Sequence, residues 1–382
     1  MPAITAEGFT TERFAPVRAA FEGNFASGAD VGGSVSVRVG DETVVDLWGG
    51  SADAAGTRPW VADTIVNVYS TTKTMTALTA LLLADRGVID FAAPVAKYWP
   101  EFAANGKAGI TVANIMSHSS GLSGWKEPVT KQDLYDWEKA VALLAAQEPF
   151  WPPGTASGYH AVTMGFLVGE VVRRATGKTM GTIFREEIAQ PLGADFHIGL
   201  PASEDSRVAE LIPPAPGQGL DANLDAMNEI QKNWIVNPLF SVEDSATRGW
   251  RGAEMGASNG QGNARAIALV HTILANGGVA KGKRFMSEAG TRKALELQVE
   301  GTDLILAMPA RFGLGFGLAG GAVPLPNNST MFWGGYGGSI AIIDMENHMS
   351  FGYAMNKMAG TTTGDLRAFG LVMAAWQSLG AM

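Results

Sequence analysis

Hydrophobic positions in the first ninety residues follow two different spacings. Apolar residues recur at every third or fourth position over residues 11–25, whereas residues 35–39 alternate between apolar and polar types before an apolar run at residues 44–48. A spacing of three to four residues predicts a helix, and alternation predicts a strand with one buried face. This part of the chain is therefore predicted to form a helix and a β-hairpin, followed by a short strand at residues 65–69 and an apolar helix at residues 71–85.

The middle of the chain has a different pattern, and strand-like runs return only towards the C-terminus. Residues 91–260 contain mainly helical segments, joined by loops with proline and glycine. Beyond them lie one more helix, several strands and a closing amphipathic helix. The predicted helices are residues 112–116, 132–146, 162–174, 180–188, 264–275 and 366–379, and the predicted strands are residues 312–318, 330–333, 339–344 and 348–355.

This order of elements predicts a fold of the α+β type within the broad α/β class. Two-stranded ribbons are marginally stable alone, so the strands near the two ends of the chain are expected to share one antiparallel sheet. The prediction is a discontinuous α/β domain of residues 1–90 and 261–382, in which terminal helices flank the sheet, and an inserted, mainly helical domain of residues 91–260. Regular alternation of strands and helices is missing, which disfavours a doubly wound Rossmann or α/β-hydrolase topology.

The composition of the 382-residue chain excludes several classes of partner and site. Its net charge of -9, without a run of basic residues, disfavours binding to nucleic acid or to acidic membrane surfaces. Cysteine is absent, which excludes disulfides, thiolate metal sites and a cysteine nucleophile. The first residues lack the features of a secretory signal, and the most apolar stretch, residues 74–84, is about half as long as a membrane span. We therefore expect a cytoplasmic protein with a small-molecule partner, whose oligomeric state the sequence does not reveal.

The first candidate for chemistry is a Ser-x-x-Lys pattern, Ser70 to Lys73, at the start of the apolar helix. Residues i and i+3 share one face of a helix, so the hydroxyl and the amine can meet there. A serine hydroxyl becomes a strong nucleophile when a neighbour removes its proton, and a desolvated lysine can act as that base. The pattern alone leaves a structural alternative open, a serine that caps the helix and a solvated lysine. Ser123 and Lys126 repeat the spacing in a glycine-bearing loop, without an apolar helix behind them.

Two glycine motifs and the histidines give weaker signals. Residues 256–260 fit the Gly-x-Ser-x-Gly elbow of α/β-hydrolases, and Asp344 and His348 follow in the matching order, but no buried strand precedes the elbow. Residues 315–320 fit a dinucleotide-binding glycine pattern, yet prolines rather than a helix follow it. The histidines show neither paired helical spacing nor a clustered carboxylate. The sequence therefore predicts neither a cofactor nor a metal ion.

Several short segments together resemble the serine β-lactamase and penicillin-binding-protein superfamily. They are Tyr-Ser-Thr-Thr-Lys at residues 69–73, Ala-Asp-Arg-Gly-Val-Ile-Asp at 84–90, Lys-Tyr-Trp-Pro-Glu at 97–101 and Ser-His-Ser-Ser-Gly-Leu at 117–122. More narrowly, the chain resembles the class C β-lactamase-like carboxylesterases, called family VIII esterases, from about residue 10 to the C-terminus. The resemblance implies a serine β-lactamase-like fold in which Ser70 is the nucleophile and Lys73 assists it.

The resemblance also assigns a tyrosine to the site. Tyr159, in the segment Gly-Tyr-His-Ala at residues 158–161, is implied to shuttle protons, and a cationic lysine beside it would stabilise its phenolate form. In the lactamases the third position of this motif is usually Asn, whereas this chain has Ala161, so an amide-recognising side chain is missing. His160 is expected to line the pocket, with a surface histidine as the alternative. From the residues alone, a packed tyrosine that caps the next helix stays an alternative.

The third motif of the superfamily, Lys-Thr-Gly, corresponds here to Trp333, Gly334 and Gly335, which are expected to bind substrate. Glycines let a strand approach the nucleophile closely, so the backbone N–H groups of Ser70 and Tyr336 are implied to form an oxyanion hole. Replacement of the lysine by Trp333 removes a cation that would pair with a substrate carboxylate. This departure disfavours β-lactams and favours neutral esters. A glycine-rich turn between two core strands stays the structural alternative.

These motifs predict a serine carboxylesterase that hydrolyses short-chain neutral carboxylic esters through an acyl-enzyme on Ser70. Its expected catalytic residues are Ser70, Lys73 and Tyr159. An acyltransferase, or a β-lactamase or D-amino-acid peptidase, would use the same three residues. An inactive homologue that binds an acylated ligand is the alternative outside catalysis. The sequence does not identify which residues of the helical insertion line the pocket.

Overall fold

The computed structural model describes residues 4–220 and 224–381, and a nine-stranded antiparallel sheet forms its centre. The strands of these ranges are β1 (Glu7–Thr10), β2 (Gly32–Val39), β3 (Glu42–Gly50), β4 (Val66–Asn67), β5 (Phe196–His197), β6 (Gln261–Gly262), β7 (Val279–Ala280), β8 (Lys283–Arg284), β9 (Val299–Thr302), β10 (Pro309–Phe312), β11 (Gly317–Leu318), β12 (Thr330–Gly334), β13 (Ile340–Asp344) and β14 (Met349–Met355). The large sheet has the order β1-β3-β2-β14-β13-β12-β11-β10-β9, a small sheet has the order β4-β6-β5, and β7 pairs with β8.

Between residues 91 and 260 most of the regular structure is helical, and the short strand β5 also lies in this segment. The α-helices of the described ranges are α1 (Ala15–Ala26), α2 (Thr72–Asp85), α3 (Val112–Met116), α4 (Lys131–Tyr135), α5 (Trp137–Ala146), α6 (Thr163–Thr176), α7 (Met180–Phe184), α8 (Gln190–Leu192), α9 (Glu229–Val236), α10 (Arg248–Gly252), α11 (Ala264–Ala275), α12 (Glu288–Arg292) and α13 (Leu366–Leu379). Within the two described ranges, every helix is too short or too polar to span a lipid bilayer.

Strands β2 and β14 bring the two ends of the chain together in the middle of the large sheet. They pair in antiparallel fashion, with Val37 opposite Phe351, and nearly every residue in both strands is buried. On either side of this pair, β3 continues the N-terminal part of the sheet and β13 continues the C-terminal part. The expectation that strands from both ends of the chain share one antiparallel sheet is confirmed.

Helices cover both faces of this sheet. Neighbouring residues of a strand point to opposite faces, so Gly352 and Tyr353 in β14 identify what each face meets. On one face, α11 packs so closely that a Cβ atom at Gly352 would lie 2.5 Å from the carbonyl oxygen of Ala264. On the other face, Tyr353 donates a hydrogen bond to Asp30, which also accepts one from Arg367 of α13, and α13 packs against α1. The terminal helices therefore flank the sheet as predicted.

Helix α2 lies in the interior of the molecule. Every residue from Thr72 to Leu83 is buried, because apolar side chains occur on all sides of the helix and its threonine hydroxyls have hydrogen-bond partners. Helices α6 and α7 pack against α2, and one continuous hydrophobic core contains residues from both predicted domains. The division of the chain at residues 90 and 260 therefore stays a prediction.

Two predicted elements are interrupted in the structure. The helix predicted over residues 132–146 breaks between α4 and α5 at Asp136, whose side chain accepts a hydrogen bond from a backbone N–H three residues later and so begins a new helix. The strand predicted over residues 312–318 breaks at a turn where Gly315 has a φ of 87° and where a Cβ atom would lie 2.4 Å from Ala77. The hydrophobic pattern does not predict β1, β9 or α9, none of which has a buried residue.

Candidate active site

Ser70 lies on a short 3-10 turn, Tyr69–Thr71, between strand β4 and helix α2. The turn holds Tyr69 at a positive φ of 42°, a conformation that residues other than glycine rarely adopt and that surrounding contacts must maintain. The Tyr69 ring packs edge-on against the rings of Trp250 and Tyr336, which supplies such contacts. The Ser70 side chain lines a cavity, although the residue as a whole is only 9% exposed.

Lys73 lies in the first turn of α2, three residues after Ser70. It is completely buried, and its amine contacts three oxygen atoms. Its Nζ lies 3.1 Å from Ser70 Oγ, 2.6 Å from the carbonyl oxygen of Ala161 and 2.9 Å from the carbonyl oxygen of Ala257. Burial lowers the pKa of Lys73 well below its usual value, because loss of water disfavours the charged amine. Burial of the amine therefore shifts Lys73 towards its neutral form.

The two carbonyl oxygens determine how the neutral amine is oriented. A carbonyl oxygen only accepts hydrogen bonds, so each of them takes an N–H from the amine in either charge state. A neutral amine has two N–H groups and one lone pair, and Ala161 and Ala257 use both N–H groups. The lone pair of Lys73 then faces Ser70 Oγ at 3.1 Å. This arrangement can remove the proton from the Ser70 hydroxyl.

The phenol of Tyr159 is the third group in contact at this site. Its oxygen is hydrogen-bonded to the Ser70 hydroxyl and accepts a 3.1 Å hydrogen bond from the indole N–H of Trp333. The Lys73 Nζ lies 4.7 Å from the centre of the Tyr159 ring. Burial raises the pKa of Tyr159 above its usual value, and its hydrogen bonds with Ser70 and Trp333 offset only part of that effect. The same burial disfavours a charged Lys73 amine, so these surroundings favour the protonated phenol, and the role of Tyr159 in proton transfer stays a prediction.

The turn between β12 and β13 is hydrogen-bonded directly to the segment that precedes Ser70. Ser339 donates a 2.9 Å hydrogen bond to the carbonyl oxygen of Val68. Gly335 approaches so closely that a Cβ atom there would lie 2.1 Å from the same carbonyl oxygen, so a side chain does not fit. This packing brings Tyr336 and Ser70 to the wall of one cavity. The oxyanion hole expected from their two backbone N–H groups stays a prediction.

The cavity beside Ser70 has a volume of about 460 Å³ and mostly apolar walls. Tyr159 and Tyr336 also form part of its wall, and none of the described residues that line it is an Asp, Glu, Lys or Arg. Much of the remaining wall comes from the segment between residues 91 and 260, including Pro213, Pro216, Trp234, Ile235, Phe240 and Trp250. Sequence reasoning does not identify these residues, because prolines and scattered aromatic residues are equally common in loops that bind nothing.

Four residues that were expected to contact substrate do not line this cavity. Trp333, Gly334 and Gly335 are buried in the interior, and the indole of Trp333 contacts Tyr159 instead. His160 is also buried, and its two ring nitrogens hydrogen-bond a backbone carbonyl oxygen and a serine hydroxyl. Burial lowers the pKa of His160 to about 3, so its ring is neutral. Contact of these four residues with substrate stays a prediction, since closeness to the site in sequence does not determine which side of a segment faces the cavity.

The residues of the other two serine motifs make contacts that do not form a second catalytic arrangement. Residues 256–260 form a loop whose Ala257 carbonyl oxygen contacts the buried amine described above. Asp344 accepts hydrogen bonds from the backbone of its own hairpin, and His348 bonds a backbone carbonyl group, so these two side chains are engaged elsewhere. Lys126, in the second Ser-x-x-Lys pattern, forms a surface ion pair at 2.7 Å. The structure therefore brings a serine, a lysine and a tyrosine together at residue 70 rather than at either alternative.

Two remaining motifs can be placed in the fold. Residues 315–320 pass through β11 into a turn, and the next regular element in the described chain is strand β12 rather than a helix. No group of three or more His, Asp or Glu side chains that could hold a metal ion occurs within residues 4–220 and 224–381. That the site works without a cofactor or a metal ion stays a prediction.

Comparison with known proteins identifies relatives over nearly the whole chain. Residues 17–372 match the Beta-lactamase family. The esterase/beta-lactamase LipL of Mycobacterium tuberculosis (strain ATCC 25618 / H37Rv) is 40% identical over 364 residues, which cover 92% of this chain and 83% of that protein. A crystal structure of a family VIII carboxylesterase is similar with a TM-score of 0.92 and 44% identity, covering 98% of this chain and 99% of that one. A penicillin-binding protein homolog from Caulobacter crescentus gives a TM-score of 0.89 and 37% identity over 98% of this chain and 99% of its own.

These similarities confirm the resemblance seen in the sequence motifs and the fold expected from it. The matched region contains Ser70, Lys73 and Tyr159, the three side chains that meet in the structure. The chain therefore belongs to the beta-lactamase family, and a family VIII carboxylesterase is among its close structural relatives.

Proposed function

We propose that the protein is a serine carboxylesterase that hydrolyses small, neutral carboxylic esters. The observation that carries this proposal is the buried Lys73 amine, whose lone pair faces Ser70 Oγ at 3.1 Å beside a cavity with no charged residue in its described wall. A volume of about 460 Å³ is typical of sites for small molecules. Two similar proteins support the proposal, because one is named an esterase/beta-lactamase and the other a family VIII carboxylesterase.

Acylation begins when Ser70 Oγ attacks the carbonyl carbon of the ester and Lys73 accepts the Ser70 proton. The new oxygen–carbon bond gives a tetrahedral intermediate, whose negative oxygen is stabilised by the backbone N–H groups of Ser70 and Tyr336. When the intermediate collapses, the bond to the alcohol oxygen breaks and that oxygen takes the phenolic proton of Tyr159. The proton held by Lys73 then returns to Tyr159, so that the alcohol leaves neutral and both side chains are again uncharged.

Deacylation repeats these steps with water as the nucleophile. Water attacks the acyl carbon and gives up a proton through Tyr159 to Lys73. The bond between Ser70 Oγ and the acyl carbon then breaks, Ser70 Oγ takes the proton held by Lys73, and the carboxylic acid leaves. One ester and one water give one acid and one alcohol, so the balance requires no other reactant.

The cavity favours uncharged substrates. A carboxylate that is buried without a partner costs several kcal/mol, and no described wall residue is a cation. Trp333 stands where the lactamases carry a lysine, and its indole N–H supports Tyr159. Hydrolysis of β-lactams is the second candidate, since the similar M. tuberculosis protein is named for both activities. Nitrocefin turnover comparable with ester turnover would favour that candidate.

Substitution of two serines in the cavity wall tests the choice of nucleophile. Ser70→Ala is expected to lower kcat for p-nitrophenyl butyrate by about 10⁴-fold or more. Ser258→Ala is the matched control, because Ser258 also lines the cavity and donates a 3.3 Å hydrogen bond to the carbonyl oxygen of Ala161. We expect Ser258→Ala to keep kcat within roughly tenfold of the wild-type value.

Intact-mass measurement after treatment with a fluorophosphonate checks the same assignment without turnover. A single covalent adduct is expected for the wild type and for Ser258→Ala, and none for Ser70→Ala. Turnover that survives Ser70→Ala but disappears in Ser258→Ala would refute the proposed nucleophile.

A further inference from the structure

Three consecutive backbone N–H groups around Tyr159 are held by only two other residues. Gly158 donates to the carbonyl oxygen of His118 at 2.9 Å, and the His160 N–H donates to His118 Nδ1 at 3.2 Å. Between them, the N–H of Tyr159 donates to Asp303 Oδ1 at 3.1 Å. Tyr159 lies outside any helix or strand, so its backbone lacks the hydrogen bonds of regular secondary structure. These three hydrogen bonds hold its backbone instead.

Asp303 reaches Tyr159 from a distant part of the chain. It follows directly after strand β9, and its side chain is completely buried. Its Oδ1 also accepts hydrogen bonds from the N–H groups two and three residues later, both at 2.9 Å. A backbone hydrogen bond of 2.9 Å from Leu304 to Ser157 joins the same two segments a second time. One carboxylate oxygen therefore connects the turn after β9 to the loop that carries the phenol.

We propose that Asp303 is a positioning residue that holds Tyr159 in place for transfer of its proton to the departing alcohol. This proposal rests on the proposed esterase function. The phenol oxygen must contact the Ser70 hydroxyl and also lie within hydrogen-bond distance of the alcohol oxygen of the substrate. Displacement by a fraction of an ångström weakens a proton transfer steeply, so the backbone that carries the phenol has to be held firmly.

The charges around the phenol favour its protonated form, which is the form that donates. The negative charge of Asp303 raises the pKa of Tyr159, in addition to the larger effect of burial. Lys73, with its Nζ 4.7 Å from the ring centre, has its pKa lowered by burial, which disfavours the charged amine. The rings of His118 and His160 are neutral as well, because burial lowers the pKa of each. Asp303 therefore acts on the position of Tyr159 and also helps to retain its proton.

A comparison of two leaving groups separates this role from a general loss of stability. The p-nitrophenolate ion leaves without a proton, whereas ethoxide is too basic to leave unless it is protonated. The values of kcat/KM for p-nitrophenyl butyrate and ethyl butyrate report acylation by the same acyl group. A proton donor that is out of position should therefore lower kcat/KM much more for the ethyl ester.

Two substitutions at Asp303 give a graded test. D303N keeps an oxygen near the Oδ1 position but loses the charge, and D303A removes the acceptor. We expect kcat/KM for ethyl butyrate to fall about tenfold in D303N and about 100-fold in D303A. For p-nitrophenyl butyrate we expect a decrease of less than about threefold in either variant.

Asp344 provides a matched control. It is equally buried, and its Oδ1 likewise accepts hydrogen bonds from the N–H groups two and three residues later, both at 3.1 Å. It lies in the β13–β14 hairpin and is not part of the described cavity wall. D344A should therefore change kcat/KM for the two esters by the same factor, whatever its effect on thermal unfolding.

The outcomes that would overturn the proposal are distinct from failure of the proposed function. Equal losses on both esters in D303N would overturn it, and this variant decides the question if D303A does not fold. A selective loss on the ethyl ester in D344A would also overturn it, because a buried turn carboxylate alone would then produce the effect. Failure of the proposed function would instead appear in the wild type, as absence of turnover of both esters or as turnover that survives Ser70→Ala.

Discussion

Replacement of Lys73 by methionine tests whether a buried neutral amine is the base. Methionine is similarly long and unbranched, so it can occupy the same space in α2 without the amine. The substitution removes the group that faces Ser70 Oγ at 3.1 Å. General-base catalysis contributes about 10²–10⁴-fold in rate, so kcat/KM for p-nitrophenyl butyrate should fall by a factor in that range.

The same substitution affects two buried carbonyl groups unequally. The carbonyl oxygen of Ala161 keeps a 3.3 Å hydrogen bond from Ser258, whereas that of Ala257 loses its 2.9 Å hydrogen bond from Lys73. A buried acceptor that is left unsatisfied costs about 1–3 kcal/mol. Removal of a desolvated amine offsets part of this cost. We therefore expect Lys73→Met to lower the free energy of unfolding near neutral pH by no more than about 3 kcal/mol, and the variant to remain folded.

The pH dependence of this variant is the sharper measurement. Because burial lowers the pKa of Lys73 below its usual 10.5, wild-type kcat/KM should rise with pH as the amine loses its proton. Between the lowered pKa and 10.5, the unfolded chain binds one more proton than the folded protein. The free energy of unfolding therefore rises with pH in this range, by up to about 1.4 kcal/mol per pH unit.

Lys73→Met should lose both effects. Its residual kcat/KM should lack the acidic decline of the wild type, and its free energy of unfolding, measured by urea at each pH, should lack the corresponding slope. A variant that keeps the wild-type acidic decline would refute a lysine base, since another group would then have to titrate.

Two further measurements address the cavity and the stability in acid. The value of kcat/KM for mono-p-nitrophenyl glutarate should be about 100-fold or more below that for p-nitrophenyl valerate, because the described wall has no cation to pair with the extra carboxylate; similar values would contradict this. The free energy of unfolding should fall as pH drops below 6.5, since burial lowers the pKa of His160 to about 3 and that of His271 to about 4, and the unfolded chain binds these protons first. Urea unfolding should show a smaller pH effect for His271→Leu than for the wild type, and an equal effect would argue against a neutral buried ring.

Local spacing predicts the part of the site that lies in consecutive helical turns. Ser70 lies in the 3-10 turn just before α2 and Lys73 in the first turn of α2, and a spacing of three residues in helical geometry brings their side chains together. Tyr159 is different, because it comes from a loop that only tertiary packing carries to Ser70. Only resemblance to a known family predicts Tyr159 as a site residue, whereas its spacing and neighbours alone favour a packed structural tyrosine.

The hydrophobic pattern of the chain does not predict which residues form the cavity wall. Trp234 and Ile235 belong to α9, a helix without a fully buried residue, and Pro213 lies in a loop without any hydrophobic period. The direction of the Trp333 side chain cannot be read from the motif either. The motif locates its strand beside Ser70, but side chains alternate between the two faces of a strand, so a single residue of register decides whether an indole faces the cavity or the interior.

The lack of charge in the described cavity wall and the neutral form of Lys73 support each other. A carboxylate near Ser70 would lack a partner, and its negative charge would also raise the pKa of Lys73 and favour the protonated amine. A protonated amine directs its third N–H towards Ser70 Oγ, because two N–H groups are already used by backbone carbonyl oxygens, and it cannot accept the proton of the nucleophile. In the proposed mechanism, a described wall without anions therefore favours activation of Ser70 as well as binding of uncharged substrates. Trp333 suits both requirements, since its indole donates a hydrogen bond to Tyr159 without adding a charge.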